Sequence, residues 1–145
     1  MKLLVAAVGR MRPGPLRELQ DEYLKRLGGT VALVEVEERR RGPDLKRREA
    51  ERLIAAVPAG MRLVALDERG TTLSSADLAR HLSEWNDAAF VIGGADGLDE
   101  AVRERASFRL AFGNATWPHL LCRVMLLEQL YRARSILAGH PYHRS

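Results

Sequence analysis

The chain of 145 residues holds a single cysteine, Cys122, and only 6% aromatic residues. One thiol closes no internal disulfide, which points to a reducing, cytoplasmic setting. With four histidines and neither CxxC nor HExxH, no metal site is expected. No stretch approaches the roughly eighteen uninterrupted apolar residues of a membrane-crossing helix. A GK[ST] phosphate loop, a GxGxxG fingerprint, internal repeats and low-complexity tracts are all missing. Residues 1–10 have the basic-then-apolar order of a signal peptide. Their apolar run is short, however, Arg10 and Arg12 follow at once, and no small-residue cleavage site comes after them. A buried first strand is expected there instead.

What is present is the balance of a soluble globular domain: 46% hydrophobic and 29% charged residues, which excludes collagen-like and disordered classes. The length suits one domain over residues 1–145, with a core large enough to need no staple. The formal charge of +4 and a pI near 9.7 invite a polyanionic partner without proving one.

Short apolar runs alternate with amphipathic stretches. Strands are expected at residues 3–8, 30–36, 62–66, 88–92 and 107–112. Helices are expected from Pro13 or Pro15 to Leu27, from Pro43–Asp44 to about Val57, and from a Ser74 or Ser75 cap to about Trp85. A short helix follows at 99–105 and a long one from Pro118 to about Leu137. Strands separated by helices predict an α/β fold, a mostly parallel sheet flanked by helices, with ligands at the loops leaving the strands' carboxyl ends. Three such loops stand out: residues 66–70, 93–97 and 112–118. Three glycines in five residues, Gly93, Gly94 and Gly97, allow a close backbone approach to a ligand, although a tight strand-to-helix turn would need them too.

The long last helix is apolar on nearly every face from Leu120 to Leu127, broken only by Arg123, so it should be enclosed by other elements or by a partner subunit. Glu128 and Arg132, four apart, are expected to pair. The chain then ends on His140-Pro141-Tyr142-His143-Arg144-Ser145, a dense set of functional groups for a terminus. Residues 35–51 hold Arg39-Arg40-Arg41 and Lys46-Arg47-Arg48, but also six carboxylates. A self-paired solvated face is expected unless the fold separates the signs. Residues 105–145 carry six basic groups and one acidic, a net +5, against −1 for residues 1–104. The basic surface is therefore expected at the C-terminal end.

These residues together resemble a family. Met1-Lys2-Leu3 with Ala7-Val8-Gly9, Tyr23-Leu24-Lys25-Arg26, Leu66-Asp67 with Gly70, the 92–97 loop, Pro118-His119, Arg123-Val124, Glu128-Gln129-Leu130-Tyr131-Arg132-Ala133 and the HPYHR ending resemble, end to end, the ribosomal RNA large subunit methyltransferase H family of the SPOUT superfamily. The glycine loop alone would be weak; joined to the EQLYRA helix and the ending, the match is specific. Where the family commonly reads MTLPH, this chain has Ala115-Thr116-Trp117-Pro118-His119, and Cys122 replaces a usual alanine.

The resemblance implies a SPOUT-type sheet with a C-terminal trefoil knot, a homodimer, and methylation of N3 of a pseudouridine in a large-subunit rRNA stem-loop within the assembled ribosome. S-adenosylmethionine is the implied methyl donor. The implied partners are rRNA and a second copy of the chain, with neither membrane nor DNA among them. The cofactor pocket maps by correspondence to Leu66, Gly93, Gly94, Gly97, Phe112, Gly113, Asn114, Ala115, Thr116, Trp117 and Pro118. Trp117 serves equally well as an adenine wall or as a core residue at the dimer seam. For the proton on the nucleophilic nitrogen, His119, His143 and Tyr142 are candidates. His143 is the first choice, with Arg144 stabilising the developing oxyanion or holding a phosphate and Tyr142 stacking on the base. His119 reads better as a helix-start residue, and His140 as shaping the tail. Two other classes remain: a non-catalytic ribosome- or RNA-binding α/β module, and an enzyme acting on an unrelated small ligand. The first would bind ribosomes without binding adenosylmethionine, the second the reverse.

Overall fold

Six consecutive apolar residues with no polar face can only sit where both sides of a strand are covered, and Leu3–Val8 (β1) is buried at every position. The computed structural model describes residues 1–144. After β1 come α1 (Pro15–Leu27), β2 (Val31–Val36), α2 (Leu45–Ala56), β3 (Arg62–Thr72), α3 (Ser75–Trp85), β4 (Ala88–Ile92), α4 (Glu100–Arg105), β5 (Phe108–Ala111) and α5 (His119–Leu137). All five strands pair in parallel in the order β2-β1-β4-β3-β5. The α/β sheet expected from the alternating pattern is therefore present, and every strand points its carboxyl end to one edge.

Alternate residues feed two cores. Leu3, Val5, Phe90, Val64 and Leu66 pack with Leu27 of α1, Leu78 and Leu82 of α3, and Leu126, Leu127 and Leu130 of α5. Ala6, Val8, Ala65 and Val91 meet Ala50 and Leu53 of α2 and Val102 of α4 on the other face. Ser74 caps α3 by accepting the N–H of Asp77 at 3.0 Å, and Asp99 caps α4 by accepting that of Ala101 at 3.0 Å. No helix among the described residues is long and apolar enough to cross a membrane.

One strand runs further than its sequence suggests. The residues Asp67-Glu68-Arg69-Gly70 read as the end of β3, yet pairing with β5 resumes beyond them: Leu66 and Thr71 both oppose Leu110, and Thr72 opposes Ala111. The four residues loop out as a large bulge. Gly70 makes the return possible, because a Cβ there would lie 2.5 Å from the Arg109 carbonyl oxygen. Its glycine marks a close approach rather than a stop.

The last helix lies between α1 and α3 on the first core, with Val124, Leu126, Leu127, Leu130 and Ala133 buried. It is not enclosed on all sides, since Leu120, Leu121 and Met125 remain half-exposed. Its buried Arg123 side chain, 0% exposed, reaches across to the ends of β1 and β2. Nη1 donates to Glu35 Oε2 at 2.5 Å and to Gln20 Oε1 at 3.1 Å, while Nη2 donates to the Gly9 carbonyl at 2.9 Å. Glu35 Oε2 also accepts the Met11 N–H at 2.9 Å, tying the β1–α1 loop into the same cluster. Nε finds no hydrogen-bond partner among the described residues. Truncating this arginine strands buried acceptors and leaves a cavity. Arg123→Ala should therefore lose about 3 kcal/mol, read as a lower urea midpoint at unchanged slope.

Candidate active site

A cleft of about 640 Å³ opens at the carboxyl edge of β4, β3 and β5. Apolar side chains of Leu66, Ile92, Leu98, Leu110, Phe112 and Trp117 line it beside the glycine loop after β4. That loop folds back on itself. Gly97 N–H donates to the Gly94 carbonyl at 3.0 Å, Gly97 holds φ at +83°, and a Cβ on Gly93 would come within 2.6 Å of the Gly97 carbonyl oxygen. Only glycine at 93 permits this turn, which leaves main-chain polar groups, not side chains, at the wall.

The opposite wall is the segment between β5 and α5. Trp117 Nε1 donates to the Phe112 carbonyl at 2.9 Å, which holds the indole over the segment while 43% of the residue stays exposed. Thr116 donates to the Glu68 carboxylate, joining this wall to the β3 bulge. Asp67 is buried and accepts from Arg103 Nε at 2.9 Å and from the Arg69 N–H at 3.0 Å. Burial alone would push its carboxyl up, but these two donors prevail and hold it below the ordinary carboxylate range. His119, the first residue of α5, is half-buried at the cleft. Burial, and then the nearby Arg123 charge, lowers its pKa. Burial pushes the Cys122 thiol up to about 11.

Of the pocket residues expected by resemblance, Leu66, Gly93, Gly94, Gly97, Phe112, Ala115, Thr116, Trp117 and Pro118 line the cleft together. Gly113 and Asn114 are not among its lining residues; Gly113, at φ +92°, turns the chain there. The Asp67–Arg103 pair and Glu68 were missed. Their signal was the Asp67-Glu68 pair ending an apolar strand at the ligand edge.

Tyr142, His143 and Arg144 are not in the lining of the cleft of their own chain. The tail lies instead along α5 and α1. The Tyr142 hydroxyl is 3.3 Å from that of Tyr23, its ring centroid is 4.7 Å from that of Tyr131, and the Arg132 guanidinium stands 4.7 Å over it. Arg132 Nη1 is 3.1 Å from His143 Nδ1 and pairs through Nε with Glu128 at 2.8 Å, as the i, i+4 spacing predicted. His140 Nδ1 accepts the Tyr142 N–H at 3.2 Å and so shapes the tail. The hydrogen bond with Tyr23, with burial, raises the Tyr142 phenol to about 12.

None of the six basic residues of the C-terminal stretch lines the cleft of its own chain. Arg123 is buried with Glu35, Arg132 is paired with Glu128, Arg134 donates to the Leu27 carbonyl at 3.0 Å, and Arg105 ends α4 at the amino edge.

The family model described as predicted SPOUT methyltransferase matches residues 1–143. Proteins named ribosomal RNA large subunit methyltransferase H are 60% identical over 152 residues in Rhodospirillum centenum and 55% identical over 152 residues in Rhodospirillum rubrum, each match covering 100% of both chains. Among solved structures, a probable methylase family protein from Haemophilus influenzae shares the fold at a TM-score of 0.62 and 11% identity, over 99% of this chain and 70% of that one. The SpoU methyltransferase AviRb from Streptomyces viridochromogenes, in complex with the cofactor AdoMet, shares it at 0.52 and 17% identity, over 95% and 62%. This is the fold of a SPOUT methyltransferase. Within that class, the chain belongs to the ribosomal RNA large subunit methyltransferase H family.

Two measurements check the site. With its thiol raised to about 11, Cys122 should react with iodoacetamide at pH 8 about a hundredfold more slowly than an ordinary cysteine. Asp67 has a folded pKa below its ordinary 3.8, so its stabilisation is full above that value and fades as pH falls through the folded one. Asp67→Asn should therefore lower the urea midpoint at pH 7, and the gap to wild type should close on acidification.

Proposed function

We propose that this chain transfers a methyl group from S-adenosylmethionine to N3 of a pseudouridine in the large-subunit rRNA of assembled, cytoplasmic ribosomes, and that it does so as a homodimer. The observation that carries the reading is the cleft itself, lined by nine of the residues that the resemblance assigns to the cofactor, in a chain 60% identical to a relative named ribosomal RNA large subunit methyltransferase H. The residues present fit the cofactor. An adenosyl group needs apolar walls and main-chain hydrogen-bonding groups rather than a phosphate cradle. Leu66, Ile92, Leu98, Leu110 and Phe112 supply the first, and the tight Gly93–Gly97 turn the second. Trp117 stands at the wall opposite that turn, exposed enough to cover a bound group. When bound, the cofactor supplies an electrophilic methyl on a sulfonium.

The chain's own part is to position the acceptor and remove a proton. N3 of a pseudouridine is a weakly acidic imide and becomes nucleophilic on losing its hydrogen. His143 is the base in this reading, with Arg144 facing the charge that develops on the neighbouring carbonyl oxygen. Tyr142 is an unsuitable base, because its raised phenol pKa keeps the proton in place. It remains a donor and a stacking surface for the base.

These three residues lie outside their own chain's cleft, which supports a site completed by a second copy. A groove of about 520 Å³ lined by Leu19, Tyr23, Leu73, Phe112, Met125 and Glu128 runs beside α5 and shares Leu110 and Phe112 with the cleft. Leu19 is 46% exposed there, and the half-exposed apolar residues of α5 suit burial against a twofold mate. A partner seated on this groove would bring its tail toward the cleft. Threading of the segment after β5 into a trefoil knot rests on the family resemblance.

Incubation with labelled adenosylmethionine and undermethylated ribosomes, followed by mass mapping of the rRNA, should place one methyl on a pseudouridine, with free stem-loop RNA a far poorer substrate. Label absent from rRNA would refute the reading. Replacing His143 and Arg144 together by alanine should cut turnover at least a hundredfold while the cofactor affinity measured by calorimetry stays unchanged.

A further inference from the structure

Resting on the rRNA substrate just proposed, a second question is which face of the protein meets the phosphates. The fold sorts the charges of residues 35–51, which the sequence shows only as a balanced run. Glu38, its side chain 8% exposed, turns inward to Arg52 at 3.1 Å and Arg48 at 3.9 Å. Glu35 is taken up by Arg123, Asp44 by Arg48 at 3.8 Å and Glu51 by Arg47 at 4.0 Å. Arg39, Arg40 and Arg41 are left exposed, with no carboxylate within 4.0 Å among the described residues.

The β2–α2 loop that carries them adjoins the β1–α1 loop, because β1 and β2 pair to their last residues and the Gly9 N–H donates to the Val36 carbonyl at 2.9 Å. Arg10 and Arg12 on that second loop are likewise exposed and unpaired among the described residues. β1 in turn pairs with β4, and a Cβ on Gly94 would lie 3.0 Å from Val8 Cγ1 and 3.5 Å from the Glu49 carboxylate. Burial and the Asp96 charge push the Glu49 carboxyl up while Arg41 pulls it down. One continuous edge therefore runs from the cleft to five arginines. Glu37 is the unpaired carboxylate on these two loops; Glu49 and Asp96 stand on the cleft side.

We infer that Arg10, Arg12, Arg39, Arg40 and Arg41 form the surface that grips the rRNA sugar-phosphate backbone beside the cofactor cleft. Guanidinium groups match phosphate oxygens in pairs, and with no carboxylate within 4.0 Å among the described residues these five are available to it. The surface positions the RNA and selects no base; the choice of nucleotide stays with the site. Its location differs from the C-terminal stretch where the sequence concentrates its positive excess.

The test compares two variants of the full chain by ribosome co-sedimentation across a salt series, with calorimetric adenosylmethionine binding as the check on folding. One variant combines Arg12→Gln, Arg39→Gln and Arg40→Gln. The other removes the same charge from the amino edge of the sheet by Lys2→Gln, Arg62→Gln and Arg105→Gln. The first should bind ribosomes at least about tenfold more weakly and flatten the dependence of log affinity on log salt by about 2, each lost phosphate contact removing about 0.7–0.9. The amino-edge variant should stay within about twofold of wild type. Equal weakening by both variants, wild-type binding by the first, or no ribosome binding by the wild type overturns the inference. Ribosome binding without methyl transfer to rRNA would instead sink the proposed function, and the comparison of the two variants would still decide where the RNA is held.

Discussion

The position of α5 depends on one buried side chain. Apolar contacts press this helix against α1 and α3, but burial is non-directional and resists neither rotation about the helix axis nor a slide along it. Arg123 supplies the missing direction. Its guanidinium is wholly buried, and that state is tolerable only where acceptors converge, as the Glu35 carboxylate, the Gln20 amide and the Gly9 carbonyl do. Fixing residue 123 fixes the rotation and the height of the rest of the helix. His119, four residues earlier, is set at the cleft mouth; Glu128 and Arg132, further along, are set where the tail docks. Cofactor wall and tail are thus referred to one anchor at the end of β1.

The cleft is braced by the bulge in β3. Its excursion sends Asp67 to Arg103 on α4 and Glu68 to Thr116 before α5. The β3 bulge, helix α4 and the segment before α5 are thereby tied to one another before any ligand arrives, which reduces the ordering a ligand must impose on binding. Two glycines make this possible through contact rather than torsion. Gly70 returns the strand against the Arg109 carbonyl and Gly93 closes the loop against that of Gly97, each at a distance no Cβ tolerates.

Much of this was legible in the sequence because periodicity reports on burial. The apolar runs at β1 and β4 and the amphipathic stretches of α1 and α3 gave element type, order and parallel sense, and the ligand edge followed from them. The resemblance then picked out nine residues that do line the cleft. What stayed hidden was set by contacts between distant positions. A glycine ending an apolar run looks the same whether it turns the chain away or brings it back, so the second half of β3 reads as loop. An arginine on an apolar helix shows that it must be satisfied, but its carboxylate lies 88 residues away. The tail's chemistry was visible in its residue types, while its lodging against Tyr23 and Tyr131 needed the packed helices.

Charge shows the same limit most sharply. Pairs such as Arg47 with Glu51 and Arg48 with Asp44 stand four apart and can be read from spacing. The pairs that decide the surface are non-local: Glu38 with Arg52, and Glu35 with Arg123. Each ties a carboxylate of residues 35–51 to an arginine outside that stretch, so a run with six charges of each sign emerges with Arg39, Arg40 and Arg41 exposed and unpaired among the described residues. The C-terminal stretch goes the opposite way, as Arg123, Arg132 and Arg134 are spent on holding α5 and its tail. Net charge along a segment is therefore no measure of the field a fold presents. The useful quantity is the set of cations left over once carboxylates have taken theirs, and here five of that set, Arg10, Arg12, Arg39, Arg40 and Arg41, stand on the two neighbouring loops at the carboxyl edge of the sheet.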